Sequence, residues 1–114
     1  MIELCPITDL TRGAVTRIAR PDLPVPLGLV KVGDRIFCFD DTCSHETASL
    51  SDGWLDGHEI ECPLHESRFD LRTGRPDCPP ARRPIRTHDV QVLDDMVCVD
   101  ESSVAVVAAA ETTR

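Results

Sequence analysis

Two short stretches of this chain carry donors for a metal centre: Cys43-Ser44-His45 and Cys62-Pro63-Leu64-His65, with 16 residues between His45 and Cys62. Each stretch offers one thiolate and one imidazole. Thiolates are soft, electron-rich ligands that suit iron bound to sulfide. Two such loops facing each other can hold a two-iron, two-sulfide cluster, with both cysteines on one iron and both histidines on the other. Neutral imidazole leaves that cluster less negative than four thiolates would, so it accepts an electron more readily. Mixed ligation sits at about −150 to +300 mV, against about −400 mV for all-cysteine plant-type clusters. Structural zinc is the alternative, since two Cys and two His also satisfy a tetrahedral ion. Zinc fingers usually pair like with like, whereas each half-site here mixes Cys with His. The spacing therefore favours one-electron transfer, a job that needs no catalytic residue.

The elements that must position these donors read as strands. Leu27 to Val32 and Arg35 to Phe39 flank the tight pair Gly33-Asp34, the pattern of a hairpin. Val90 to Leu93 and Met96 to Val99 flank Asp94-Asp95 in the same way. Ala14 to Ala19 contains a plausible early strand, and Asp22 to Pro26 is a loop, because proline cannot donate to a central ladder. The region from about 41 to 84 differs: Asp52-Gly53, Asp56-Gly57, Thr73-Gly74 and Pro79-Pro80 are turn signals. Short strands fit between them at His58 to Cys62 and Arg68 to Leu71. The pattern predicts one all-β domain over 1–114, an antiparallel β-sandwich with a small inserted cluster-binding subdomain at about 41–84. The tail, about 102–114, is expected to be flexible or irregular.

Size and charge exclude several classes. A chain of 114 residues is one small domain. Aromatics make up only 4%, so Val, Ile and Leu must fill most of the core, and a cluster bonded to two loops would stabilise it. The N-terminus shows no signal peptide, and Val104 to Ala110 is too short to span a bilayer. A cytoplasmic location without membrane attachment is expected. The net charge of −8 argues against nucleic acid. Between Cys43 and Glu66 stand six acids and no Lys or Arg; between Ser67 and Arg86 stand six Arg and two Asp. Such polarity is either ordinary solvated surface or a docking face that steers a protein partner.

Four cysteines lie outside the donor pairs. Cys38 and Cys98 sit in apolar runs and are expected as buried thiols; Cys5 and Cys78 lie beside prolines and are expected to be partly exposed. No disulfide is expected in a reducing compartment. His58 and His88 are expected in surface or structural roles, and Trp54 as a ring packed in the core or against the subdomain.

At the donor residues the chain resembles the Rieske-type [2Fe–2S] ferredoxins of bacterial aromatic-ring-hydroxylating dioxygenases. The likeness runs from about Lys31 to Val99. It is strongest at Cys43-Ser44-His45, Ala48 to Gly53, Leu55-Asp56-Gly57, Glu61 to His65 and Arg68 to Gly74. The resemblance implies Cys43, His45, Cys62 and His65 as ligands of one Rieske cluster per chain and a Rieske-type β-sandwich fold. It implies no catalytic residues. High-potential Rieske proteins carry an extra cysteine in each ligand loop and join the two in a disulfide. Ala48 and Leu64 stand there, so that bridge is excluded. Ser67 keeps the serine of those proteins, but Phe69 replaces a tyrosine, removing a donor to the cluster. A potential near the lower end of the Rieske range follows. Glu46 and Glu66 stand where relatives often have glycine, either as plain solvated acids or as carboxylates beside the histidine edges.

The resemblance also implies partners: electrons arriving from a flavin-containing, NAD(P)H-dependent ferredoxin reductase and leaving to a terminal Rieske oxygenase. His45 and His65 would form the exit edge. A Rieske small subunit of an NADH-dependent nitrite reductase is the alternative, and a zinc-stabilised binding module a third reading of another class.

Overall fold

The computed structural model describes residues 1–11, 13–41, 49–63, 68–77 and 85–104. The described strands are β1 (Ile2–Pro6), β2 (Thr16–Ile18), β3 (Leu27–Val32), β4 (Arg35–Asp40), β5 (Trp54–Asp56), β6 (Glu59–Glu61), β7 (Arg68–Asp70), β8 (Thr87–His88), β9 (Val90–Leu93) and β10 (Met96–Val99). They form three antiparallel sheets, ordered β1-β10-β9, β2-β3-β4-β8 and β5-β6-β7. Both expected hairpins are present, β3–β4 with Val32 opposite Arg35 and β10–β9 with Met96 opposite Leu93. Asp94 and Asp95 both adopt positive φ, 52° and 64°. That is the geometry that twists a two-residue hairpin turn correctly, and aspartate tolerates it better than most residues.

The four-stranded sheet is the middle layer, and strand alternation explains why. Side chains of a strand point alternately to its two faces. Leu27 and Leu29 on β3 and Cys38 on β4 join a core with Leu4 and Cys5 of β1 and Val97 and Val99 of β10. Val30, Phe37 and Phe39 point the other way, into a second core with Ile60, Phe69, Leu71 and Leu50. Burial on both faces is why Leu27 to Val30 is apolar at every position except glycine. That glycine, Gly28, sits opposite Phe39, and any Cβ on it would run into the phenyl ring.

Two expectations are corrected here. Cys5, placed beside Pro6, is buried, because β1 pairs with β10 and the register shift between Glu3 and Cys5 turns both Leu4 and Cys5 inward. Trp54 packs into neither core: it is 60% exposed on β5, while its neighbour Leu55 faces inward. Residues Glu101–Val104 form one helical turn, with Val104 buried in the first core. Residues 105–114 and Cys78 lie outside the described residues. No described helix is long and apolar enough to cross a membrane.

Candidate metal centre

Of the four expected ligands, Cys62 lies within the described residues; Cys43, His45 and His65 lie outside them, as do Glu46, Ala48, Leu64, Glu66 and Ser67. Their loops are defined by their stems. Residues 42–49 connect the end of β4 to a 3-10 turn at Leu50–Asp52. Residues 62–67 connect β6 to β7.

The first stem is closed by Asp41. This carboxylate is 1% exposed. It accepts a hydrogen bond from the Ser51 amide at 2.6 Å and another from the Ser51 hydroxyl at 2.7 Å. Arg17 of β2 approaches Oδ2, the oxygen that also accepts the Ser51 hydroxyl, at 3.1 Å. Burial pushes the Asp41 carboxyl up, and the Ser51 hydrogen bonds and the Arg17 charge offset only part of that. The Asp41 amide donates to the Pro26 carbonyl at 2.9 Å and the Asp40 amide to the Arg86 carbonyl at 3.0 Å. The chain therefore enters the first donor loop from a backbone fixed on both sides.

The second stem is closed by Arg68, directly opposite Glu61. Its Nε meets the Glu61 carboxylate at 3.2 Å, and Nη1 meets Asp56 at 3.2 Å. Its amide donates to the Asp77 side chain at 2.8 Å, and its carbonyl accepts from the Asp77 amide at 2.8 Å. The two stems touch. Leu50 and Cys62 share one buried cluster. Gly53 approaches the Glu61 and Leu50 carbonyls so closely that a Cβ there would overlap the Glu61 oxygen.

This framework leaves no local mark in the sequence. Asp41 and Ser51 are ten residues apart, on either side of the first donor pair, and no periodicity marks them. His88 turns out structural: its Nε2 lies 2.8 Å from Asp40 and its Nδ1 2.6 Å from the Ser103 hydroxyl. With Asp40 as acceptor, Nε2–H donates to it, and Nδ1 accepts from Ser103. Burial favours the neutral form of Asp40, but hydrogen bonds from His88 and Arg86 overcome it and leave its carboxyl below the usual range.

Cys62 tests whether the chain can take an iron–sulfur centre. Its sulfur is fully buried at the mouth of the second loop, walled by Leu50, Ile60 and Phe69. A soft donor in an apolar, water-free wall, beside the stem of a second Cys/His loop, fits a cluster of iron and sulfide. The Rieske [2Fe-2S] domain model matches residues 1–105. The chain belongs to the Rieske [2Fe-2S] domain family. Its cofactor is a Rieske-type [2Fe–2S] cluster, and the zinc reading falls with that assignment.

The relatives are narrower still. The chain is 38% identical over 101 residues to the ferredoxin component of the naphthalene 1,2-dioxygenase system of Pseudomonas putida, covering 89% of this chain and 95% of that one. Its fold matches the Sphingomonas yanoikuyae B1 ferredoxin at a TM-score of 0.82 and 33% identity, covering 87% of this chain and 96% of the other. It also matches a chain in the complex of reduced oxygenase and oxidised ferredoxin in carbazole 1,9a-dioxygenase, at a TM-score of 0.79 and 38% identity. That match covers 86% of this Rieske chain and 90% of the other. A putative nitrite reductase small subunit matches at a TM-score of 0.69 but 20% identity, covering 87% and 96%; that likeness is one of fold alone.

Proposed function

We propose that this Rieske chain is a one-electron carrier between a flavin-containing, NAD(P)H-dependent ferredoxin reductase and a terminal aromatic-ring-hydroxylating oxygenase. The near full-length match to a ferredoxin component of a ring-dioxygenase system supports this reading most strongly. The relative seen together with its oxygenase supports direct contact with the electron acceptor. The nitrite-reductase reading has only fold likeness behind it.

Cys43 and Cys62 would hold one iron, and His45 and His65 the other. When bound, the cluster supplies reversible one-electron chemistry. The chain does the rest through its stems. Asp41 and Ser51 pin the loop that carries Cys43 and His45. Glu61 and Arg68 pin the loop that carries Cys62 and His65. Cys62 sits on the core side, shielded from water. Rigid stems limit the rearrangement that accompanies a change of charge, which keeps electron transfer fast. The carrier itself converts no substrate. Phe69, buried and without a hydroxyl, leaves the potential low within the Rieske range. This reading includes a cytoplasmic location, which the free thiols of Cys5, Cys38 and Cys98 support.

Anaerobically purified protein should be red-brown, with two irons and two labile sulfides per chain. Mixed with reductase, oxygenase and NAD(P)H, it should support ring hydroxylation, and His45→Ala should abolish that support. A colourless chain, spectra of four-thiolate ligation, or full activity of His45→Ala would overturn the reading.

A further inference from the structure

The small sheet β5-β6-β7 divides cleanly into two faces. Leu55, Ile60 and Phe69 point to the core. Trp54, Asp56, Glu59, Glu61, Arg68 and Asp70 occupy the alternate positions and form the outer face. Trp54 pairs directly with Glu61, and Glu61 with Arg68. Glu61 immediately precedes Cys62. The Trp54–Glu61–Arg68 row is therefore the row of this face nearest the ligand loop.

Trp54 is the only tryptophan, and the chain has no tyrosine. All three phenylalanines are buried, Phe37 at 8% and Phe39 and Phe69 at 0% exposure, whereas Trp54 is 60% exposed. A ring of this size forfeits considerable apolar burial by standing in water. The cation in its row does not cover it: Arg68 is engaged with Glu61 and Asp56. Among the described residues the cation placed over an aromatic ring is Arg35, on Phe37. On the face that carries the indole, Asp56, Glu59 and Glu61 share the one guanidinium of Arg68, which leaves that cluster net negative, with Asp56 the most open of the three. A lone exposed aromatic beside a net-negative cluster on the same face is the pattern of an interface anchor with a steering rim.

We propose that the Trp54 face is where this carrier docks on its terminal oxygenase. This rests on the electron-carrier reading above. The oxygenase would offer a pocket for one indole, rimmed by lysines and arginines that meet Asp56, Glu59 and Glu61. The acceptor is chosen over the reductase because a ferredoxin relative has been seen in complex with its oxygenase. A contact centred on one aromatic anchor suits the small, short-lived interfaces of redox partners.

The test uses the cluster-loaded chain, reduced chemically and mixed by stopped flow with the oxidised terminal oxygenase of the same cell. Trp54→Ala should lower the second-order rate of reoxidation at least tenfold, and Trp54→Phe should recover most of it. Visible and electron paramagnetic resonance spectra and the reduction potential should be unchanged. Glu59→Gln with Asp56→Asn should flatten the salt dependence of the rate. Reduction of Trp54→Ala by the flavin reductase should proceed as in the parent. Independently, the chain labelled with 5-fluorotryptophan gives one ¹⁹F resonance, which should shift on adding oxygenase but not reductase. An unchanged rate for Trp54→Ala with an unshifted resonance overturns the proposal. An equal loss towards the reductase overturns the choice of the oxygenase. If the parent itself passes no electron to the oxygenase, the carrier reading has failed and the docking face with it.

Discussion

The Asp41 carboxylate and Ser51 join across the first donor loop by two hydrogen bonds, at 2.6 and 2.7 Å. Eight of the nine residues between them belong to the connection from β4 to the 3-10 turn, including Cys43 and His45. A buried carboxylate that loses its partners is costly, and one removed outright leaves donors unmet. Ser51→Ala should cost about 1 kcal/mol of stability, and Asp41→Ala about 1–3 kcal/mol. Both should also shed the cluster faster. Urea unfolding reads the first effect, and decay of visible absorbance under a chelator reads the second. If Asp41→Ala kept its cluster as long as the parent, the clasp would have no part in holding the loop.

Gly53 makes the complementary case on the backbone. A Cβ there would collide with the Glu61 carbonyl, so the two loop stems must part to admit it. Gly13 offers the control. It has φ of +80°, but no atom lies within 4 Å of where its Cβ would stand. Gly13→Ala should bear only the strain of a left-handed alanine, about 1 kcal/mol. Gly53→Ala should lose more than that and should also weaken cluster retention, which Gly13→Ala should not. Thermal unfolding and iron content of the two variants check this. Equal behaviour would mean that the stems do not rely on the close approach.

The two Cys/His stretches stood out in the sequence because residue type and spacing are local, and the family they implied is the one the chain belongs to; the hairpins were legible for the same reason. Gly33-Asp34 and Asp94-Asp95 carry their turn chemistry within two residues. What was not legible depended on distant partners. Strand β1 exists through pairing with β10 at the far end of the chain, and its bulge hides the two-residue alternation that would have marked it. Trp54 and Leu55 are both apolar, so alternation alone could not say which faced inward. The answer came from the register of β5 on β6. For His88 the sequence left a surface and a structural role open, because the partners that decide it, Asp40 and Ser103, are 48 and 15 residues away.

Acid should weaken the fold through Asp70. Hydrogen bonds from Arg72, at 2.9 to 3.1 Å, are the main cause that holds the Asp70 carboxyl down to about 2. An unfolded aspartate titrates near about 3.9. The native state therefore prefers the ionised form. The resulting stabilisation is complete above the unfolded value and is lost as pH falls through the folded one. Asp70→Asn should be less stable than the parent by a constant margin from pH 7 down to about 5, and the margin should shrink below about 4. The difference in urea midpoint measures it, because acid lability of the cluster is common to both proteins. A margin that stayed flat to pH 3 would contradict the Arg72 pairing.

Cys38 should be chemically silent. It is 1% exposed in the middle sheet, facing the β1–β10 layer. Burial, helped by the nearby Asp40 charge, pushes its thiol up to about 12. Only the thiolate attacks an alkylating agent. At pH 8 a thiol with that value is ionised in about one molecule in ten thousand, even before burial blocks the reagent. Native cluster-loaded protein incubated with iodoacetamide at pH 8 should leave Cys38 unmodified for hours, and unfolding in guanidinium should make it react within minutes. Peptide mass spectrometry distinguishes the sites. Rapid native labelling of Cys38 would mean that β4 opens to solvent. The shared wall of the two cores would then be far less rigid than its packing implies, and the first ligand loop, which leaves from the end of that strand, would not be held as described.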